Sequence, residues 1–185
     1  AVATALGIST ITITWTDVTS SEAGFTIEQR TSPTAWNVVA TESENAQSTT
    51  ITGLLPDTQY DFRVKAFDGP VQSAYSNTAS TKTDAIQAPS NLRANAINSS
   101  EIRLDWIDNS SSETNFVVEQ LFGGAVWTPV DTLLANVETC MIHDLLPSLS
   151  YSFRVRAKNG PGYSHYSNTA DATTRPFPAP TDLSA

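Results

Sequence analysis

A chain of 185 residues has room for one or two domains, and 39% hydrophobic against 16% charged residues is a balance that builds a buried core. Nineteen acidic against ten basic side chains leave a net charge of −9, which repels phosphate backbones and anionic headgroups and argues against nucleic acid and membrane surfaces as partners. No apolar run reaches bilayer-spanning length, the opening lacks the basic stretch of a signal peptide, and the single Cys140 excludes an intramolecular disulfide.

Taken in chain order, the first half reads as strands near residues 2–6, 10–16, 24–30, 36–41, 48–52, 58–67 and 74–82. "ITITWT" puts Ile11, Ile13 and Trp15 on one face and threonines on the other, the period-two pattern of a half-buried strand. "YDFRVKA" points Tyr60, Phe62, Val64 and Ala66 inward and Asp61, Arg63 and Lys65 outward. Gly, Pro, Ser and Asn turns separate the strands, and no segment sustains a helical period.

The second half then says the same thing again. Shifting the chain by 91 residues aligns Trp15 with Trp106, Glu22 with Glu113, Phe25 with Phe116, Glu28 with Glu119, Trp36 with Trp127 and Tyr60 with Tyr151. "YSNTA" appears at 75–79 and again at 166–170, and roughly 40% of paired positions are identical, as in a duplicated module. "APSNLRA" at 88–94 opens the second unit. "APTDLSA" at 179–185 fits the same register and is expected to open a third, so the chain reads as part of a longer array. The units are 1–84, whose N-terminal edge reads as truncated because it lacks the matching opening, and 85–176, with 177–185 as the start of a third unit or a linker. Seven short strands per unit predict two packed sheets with one core each.

The motifs have a family likeness. A Trp on the second strand (Trp15, Trp106), followed by "LLPDTQYDFRV" at 54–64 and "LLPSLSYSFRV" at 145–155, resembles the fibronectin type III domain. The resemblance covers nearly the whole chain and implies an all-β fold of two tandem seven-stranded immunoglobulin-like sandwiches. It also implies a corner tyrosine at Tyr60 and Tyr151, with a buried ring and a hydroxyl that reaches backbone near the turn. "SSE..F" after the Trp, with "YSNTA", is similar to modules of bacterial secreted and cell-surface proteins, often beside domains that degrade or bind polysaccharide. That likeness implies an extracellular setting. Neither Arg-Gly-Asp nor a "WSxWS" stretch occurs.

Side chains for chemistry are sparse. His143 and His165 are the only histidines, and both should be solvated surface groups. Cys140 alternates with Ile142 and should point into the core as a small hydrophobe. No Cys/His set has zinc spacing, and no Gly-rich loop could cradle a phosphate. Asp17 with Glu22, and Asp108 with Glu113, could offer oxygens to calcium, but capping of their own turns and of backbone N–H groups across the loop is the simpler role. A glycosidase needs a carboxylate pair across a cleft, which a narrow sandwich does not offer. The expectation is therefore no catalytic residue, no cofactor and no metal. The candidate ligand contacts are aromatic: Trp36, Trp127 and Tyr163, the last with Gln72 opposite it in the first unit. Exposed rings of this kind stack on sugars or partner proteins, while packing over a sheet edge is the competing role.

The junction "TKTDAIQAPSNL" is short and holds one proline, so it should limit bending while leaving some hinge motion, and "TTRPFPAP", with three, should be stiffer and extended. The sequence thus predicts a monomeric, non-catalytic extracellular spacer within a larger bacterial protein, whose partners are neighbouring domains of its own chain. The alternative is a module that binds polysaccharide or a surface protein.

Overall fold

The computed structural model describes residues 1–18, 20–124 and 126–178. Two compact units, Ala1–Ala85 and Ile86–Ala185, divide the chain. In the first, β1 (Val2–Ala5), β2 (Ile11–Thr14) and β5 (Ser48–Ile51) form one antiparallel sheet in the order β1-β2-β5. The second sheet runs β4 (Asn37–Ser43), β3 (Gly24–Arg30), β6 (Gln59–Asp68), with β7 (Val71–Gln72) and β8 (Ala79–Lys82) both on β6. The other unit repeats this. Its smaller sheet is β13 (Thr139–Ile142), β10 (Ile102–Ile107), β9 (Ser90–Ala96); its larger is β12 (Thr128–Leu134), β11 (Asn115–Leu121), β14 (Ser150–Asn159), with β15 (Gly162–Tyr166) and β16 (Ala170–Thr173) on β14.

Alternation places the cores where the sequence predicts. Ile11, Ile13, Trp15, Phe25, Ile27, Tyr60, Phe62 and Val64 form one buried cluster between the sheets. Ile102, Leu104, Trp106, Phe116, Val118, Tyr151, Phe153 and Val155 are buried at the repeated positions. Each Trp lies against the Phe of the next strand, with ring centroids 5.4 Å apart in the first unit and 5.7 Å in the second. The corner tyrosines behave as expected: Tyr60 Oη accepts the Leu55 N–H at 2.9 Å and Tyr151 Oη that of Leu146 at 2.8 Å.

One expectation needs correcting. The seventh strand was predicted over 74–82, but 73–78 is not strand, and β7 and β8 flank it. Serine hydroxyls supply bonds across the interruption. Ser73 Oγ accepts the Ala66 N–H at 2.9 Å and Ser76 Oγ accepts that of Val64 at 3.1 Å, so side chains replace backbone carbonyls as partners of β6. Ser164 and Ser167 do the same for Ala157 and Val155 on β14. Cys140 faces inward beside the buried Leu104, as expected, and is half-buried because β13 is the outer strand of its sheet. The residues 177–185, read as a third unit or linker, lie outside the described residues apart from Phe177 and Pro178.

Candidate functional site

The outward face of each larger sheet holds a stack that alternates cations with aromatic rings. In the first unit the Arg63 guanidinium lies 4.3 Å from the Trp36 ring centroid and 3.6 Å from that of Tyr75. Arg30 sits 4.5 Å from Trp36, and Lys65 Nζ 4.9 Å from Tyr75. The geometry follows from strand period: Arg63 and Lys65 point outward from β6, and Trp36, just ahead of the edge strand β4, covers Arg63.

A buried carboxylate lies beneath. Glu28, on the outward face of β3, is only 7% exposed. Its Oε2 accepts from Arg63 Nη2 at 2.6 Å, and its Oε1 accepts from the Tyr75 hydroxyl at 2.8 Å. Burial works to raise the Glu28 carboxyl. The bonds from Arg63 and Tyr75, with the charges of Arg63 and Lys65, outweigh it and hold the group below its ordinary value. Tyr75 also draws the Lys65 ammonium upward, since Lys65 Nζ donates to its hydroxyl at 3.1 Å. Beside this, Asp61 accepts from Ser80 Oγ at 2.6 Å and from Arg30 Nε at 3.0 Å. Those bonds hold its carboxyl low against the opposing effect of burial.

The second unit carries the longer version. Arg154 lies 4.3 Å from Trp127 and 3.6 Å from Tyr166; Arg156 lies 4.7 Å from Tyr166 and 4.0 Å from Tyr163; Lys158 Nζ is 5.6 Å from Tyr163. Glu119, 4% exposed, accepts from Arg154 Nη2 at 2.6 Å, Arg156 Nη2 at 3.0 Å and the Tyr166 hydroxyl at 2.9 Å. Burial again pushes Glu119 up, and the bonds from Arg154 and Tyr166 with both arginine charges bring it down. Burial and the Glu119 bond push the Tyr166 phenol up.

Of the three aromatic candidates, Trp36 and Trp127 are half-buried at the start of their stacks, and Tyr163, 42% exposed, lies near the far end of the second. Trp127 and Tyr163 therefore belong to one array, joined through Arg154, Tyr166 and Arg156. Sequence reading missed the arginines and the two glutamates. The available signal was polar identity: Glu28 and Arg63 recur unchanged at outward positions 91 residues later.

The rest of "YSNTA" also has work to do. Ser76 and Ser167 are the bridges to β6 and β14. Asn77 Nδ2 donates to the Ala1 carbonyl at 3.0 Å, while its Oδ1 accepts from the Ala1 nitrogen at 2.5 Å. Asn168 clamps Leu92 in the same two-bonded way, each contact at 2.9 Å.

The other polar candidates have structural partners. Glu22 Oε1 accepts the Asn45 N–H at 3.2 Å and Glu113 Oε1 that of Asn136 at 3.3 Å; both asparagines hold left-handed turns, with φ of 61° and 63°. Asp108 Oδ1 accepts the Ser110 N–H at 2.8 Å, closing its own turn. Burial raises the Asp108 carboxyl, with Glu113 adding to it. His143 Nδ1 lies 2.8 Å from Glu101 Oε1 on the exposed surface, and His165 is exposed on β15. Burial, then the charges of Asp131 and Asp105, push the Cys140 thiol up to about 12, so it carries no thiolate near neutral pH. Among the described residues no group of three or more His, Cys, Asp and Glu side chains is placed to hold a metal. Nor is any helix among them long and apolar enough to cross a membrane.

Comparison with known proteins agrees with this architecture. The sequence profile of the fibronectin type III domain matches residues 2–82 and 87–173. Fibronectin type-III domain-containing protein 3A of Mus musculus is 31% identical over 133 residues, 68% of this chain. Receptor-type tyrosine-protein phosphatase eta of Gallus gallus is 26% identical over 82% of the chain, and tyrosine-protein phosphatase Lar of Drosophila melanogaster is 25% identical over 95%. The chain spans only 11%, 10% and 9% of those three proteins. Among solved structures, a two-domain fibronectin type-III segment of chicken tenascin is 16% identical with a TM-score of 0.49, covering 93% of this chain and 96% of that one. The FN1-FN3 domains of chicken CNTN1 are 23% identical with a TM-score of 0.47, covering 91% of this chain and 61% of that one. With both repeats matched almost end to end, this chain belongs to the fibronectin type III family as two domains in tandem.

Proposed function

We propose that the chain is a non-catalytic extracellular module that spaces and orients neighbouring domains of a larger protein. The observation that carries this reading is the commitment of its reactive side chains to one another. Glu28 and Glu119 are bonded inside their stacks, and the Glu22 and Glu113 carboxylates hold turns. Two further features suit a spacer. Thr83 Oγ1 donates to the Leu55 carbonyl at 2.6 Å and accepts the Thr58 N–H at 3.1 Å, fixing the chain where it leaves the first domain. Thr174 repeats both contacts on Leu146 and Leu149. An extracellular setting is supported by a relative named as a receptor-type phosphatase. A secreted bacterial parent rests on the "SSE..F" and "YSNTA" likeness alone, since the relatives above are animal proteins.

The second reading is a binding module for polysaccharide or a surface protein, in which Trp36, Trp127 and Tyr163 make the contact. It is favoured by the position of Tyr163, which presents a partly open ring near the end of the stack. A pull-down of the purified tandem on a panel of insoluble polysaccharides, alongside Trp36→Ala and Trp127→Ala, separates the two. Retention lost in the variants establishes binding; passage of all three proteins through every material leaves the spacer.

A further inference from the structure

The outward faces of the two larger sheets balance their charges differently. In the first domain the cations of the stack are all paired: Arg30 with Asp61 at 3.0 Å, Arg63 with Glu28 at 2.6 Å and Lys65 with Glu28 at 3.6 Å. In the second, Leu121 and Ser152 stand where Arg30 and Asp61 stand in the first, and Lys158 replaces Phe67. Arg154, Arg156 and Lys158 then follow one another outward along β14, and Glu119 pairs with the two arginines alone. Among the described residues Lys158 enters no ion pair. Asp171 is exposed opposite Ser152, but six residues of β14 separate that row from Lys158, about 20 Å.

The unpaired cation has an aromatic neighbour. Strand pairing sets Tyr163 directly opposite Lys158, and the Lys158 Nζ lies 5.6 Å from the ring centroid. Arg156 lies 4.0 Å from the same centroid, yet Tyr163 is still 42% exposed. On the other side of Lys158 the row continues through the neutral Asn115 to Leu134, which is exposed. In the first domain the same pair is Phe67 and Gln72, which carries no charge.

An exposed phenol ring takes the apolar C–H face of a sugar, and an ammonium beside it takes an anion carried at that sugar's edge. A uronic acid holds both features on one ring. We propose that the Lys158–Tyr163 corner of the second domain binds a uronic-acid unit of an acidic polysaccharide, with the sugar ring on Tyr163 and its carboxylate on Lys158. Arg156, stacked on Tyr163 and bonded to Glu119, holds the phenol ring in place. This rests on the binding-module reading above and adds the charge of the ligand. The net charge of −9 opposes a polyanion at long range. At physiological salt, however, fields fade within about 8 Å, and at that distance the unpaired Lys158 dominates its corner.

The test measures binding of the purified tandem to polygalacturonate, alginate and hyaluronate by affinity electrophoresis. Three controls run beside them: methyl-esterified polygalacturonate keeps the rings and loses the charge, polyglutamate keeps carboxylates and has no sugar, and neutral polysaccharides have neither charge. At least one uronate polymer should slow the protein, less so at high salt, and the ester and polyglutamate should not. Lys158→Gln should weaken that binding about fivefold and Tyr163→Gln about tenfold. Arg93→Gln removes an exposed cation from β9, changes the net charge by the same amount as Lys158→Gln, and should leave binding as it is. Lys158→Gln should also melt with the wild type, which separates a lost contact from a lost fold. Passage through all three uronate polymers would overturn the proposal. So would equal retardation by the ester or by polyglutamate, or an equal loss in Arg93→Gln. The polysaccharide reading beneath it falls as well only when the neutral materials also leave the protein unretarded.

Discussion

The two domains build the same stack to different lengths. Both begin Trp–Arg–Tyr over a buried Glu. At the next step the first domain has Lys65 where the second has Arg156, then Gln72 against Tyr163 and Phe67 against Lys158. Only the second can extend the array, because a guanidinium offers a flat face to a ring on either side while an ammonium does not. The first domain fills the vacated space differently. Phe67 lies over Gly24, whose absent Cβ would fall 3.0 Å from the Phe67 ring and 2.3 Å from the Glu42 carbonyl. The second domain has Asn115 there, with its Nδ2 donating to the Leu133 carbonyl at 3.2 Å. A duplicated face thus keeps its central salt bridge and varies its end.

If the buried glutamate is the keystone of both stacks, its loss should be the largest effect and should be larger in the second domain. Glu119→Gln leaves two arginines without their carboxylate, at a cost of about 3 kcal/mol, and Glu28→Gln about 2 kcal/mol. Thermal melting of each variant reads the difference. The pH dependence has a definite sign. Folding depresses both carboxyls, so their contribution is present in full above the ordinary glutamate range and is lost as pH falls through the lower folded value. Wild type and Glu119→Gln should therefore converge in strong acid; a constant gap would assign the loss to packing instead of charge.

The glycine under Phe67 comes next. Gly24→Ala pushes a methyl into a backbone carbonyl and should cost the first domain about 2 kcal/mol. Asn115→Ala in the second should cost about 1 kcal/mol or less, because the two hydrogen bonds it removes, to the Leu133 carbonyl and from the Thr114 hydroxyl, are neutral and partly exposed. Equal melting shifts would mean that the Phe67 arrangement plays no part. The smallest effect concerns the extra rungs. Tyr163→Gln shortens the second stack to the length of the first and should cost about 0.5–1 kcal/mol at this partly open site. A double-mutant cycle with Arg156→Lys should show coupling between the two positions.

How far these faces could be read from sequence depends on which side of a strand is considered. Period two assigned Ile11, Ile13, Phe62 and Val64 to the core, because inward positions are selected for apolarity alone. Applied outward, the same rule implies solvated Asp61, Arg63 and Glu119, and there it fails. Long side chains lie flat along the sheet, stack on rings from neighbouring strands and bury the carboxylate beneath them. Such contacts join residues from three strands, and no local pattern encodes that meeting. The ragged seventh strand was hidden for a related reason: Ser73 and Ser76 read as ordinary strand residues until their hydroxyls are seen to take the place of carbonyls. Repetition itself was the missing pointer, since polar residues kept through duplication at outward sites are those with partners.

The asparagine of "YSNTA" has a mechanical consequence. Asn77 and Asn168 each hold the first strand of their domain by two bonds from one amide, while Thr83 and Thr174 fix the last strand where the chain exits. When an array of such domains is pulled end to end, load enters at one of these points and leaves at the other. Both bonds of the amide then stretch together, so the first strand should let go in one step instead of peeling. A force ramp on the second domain should show that step as a distinct rupture peak, and Asn168→Ala should erase it while leaving the core transition in place.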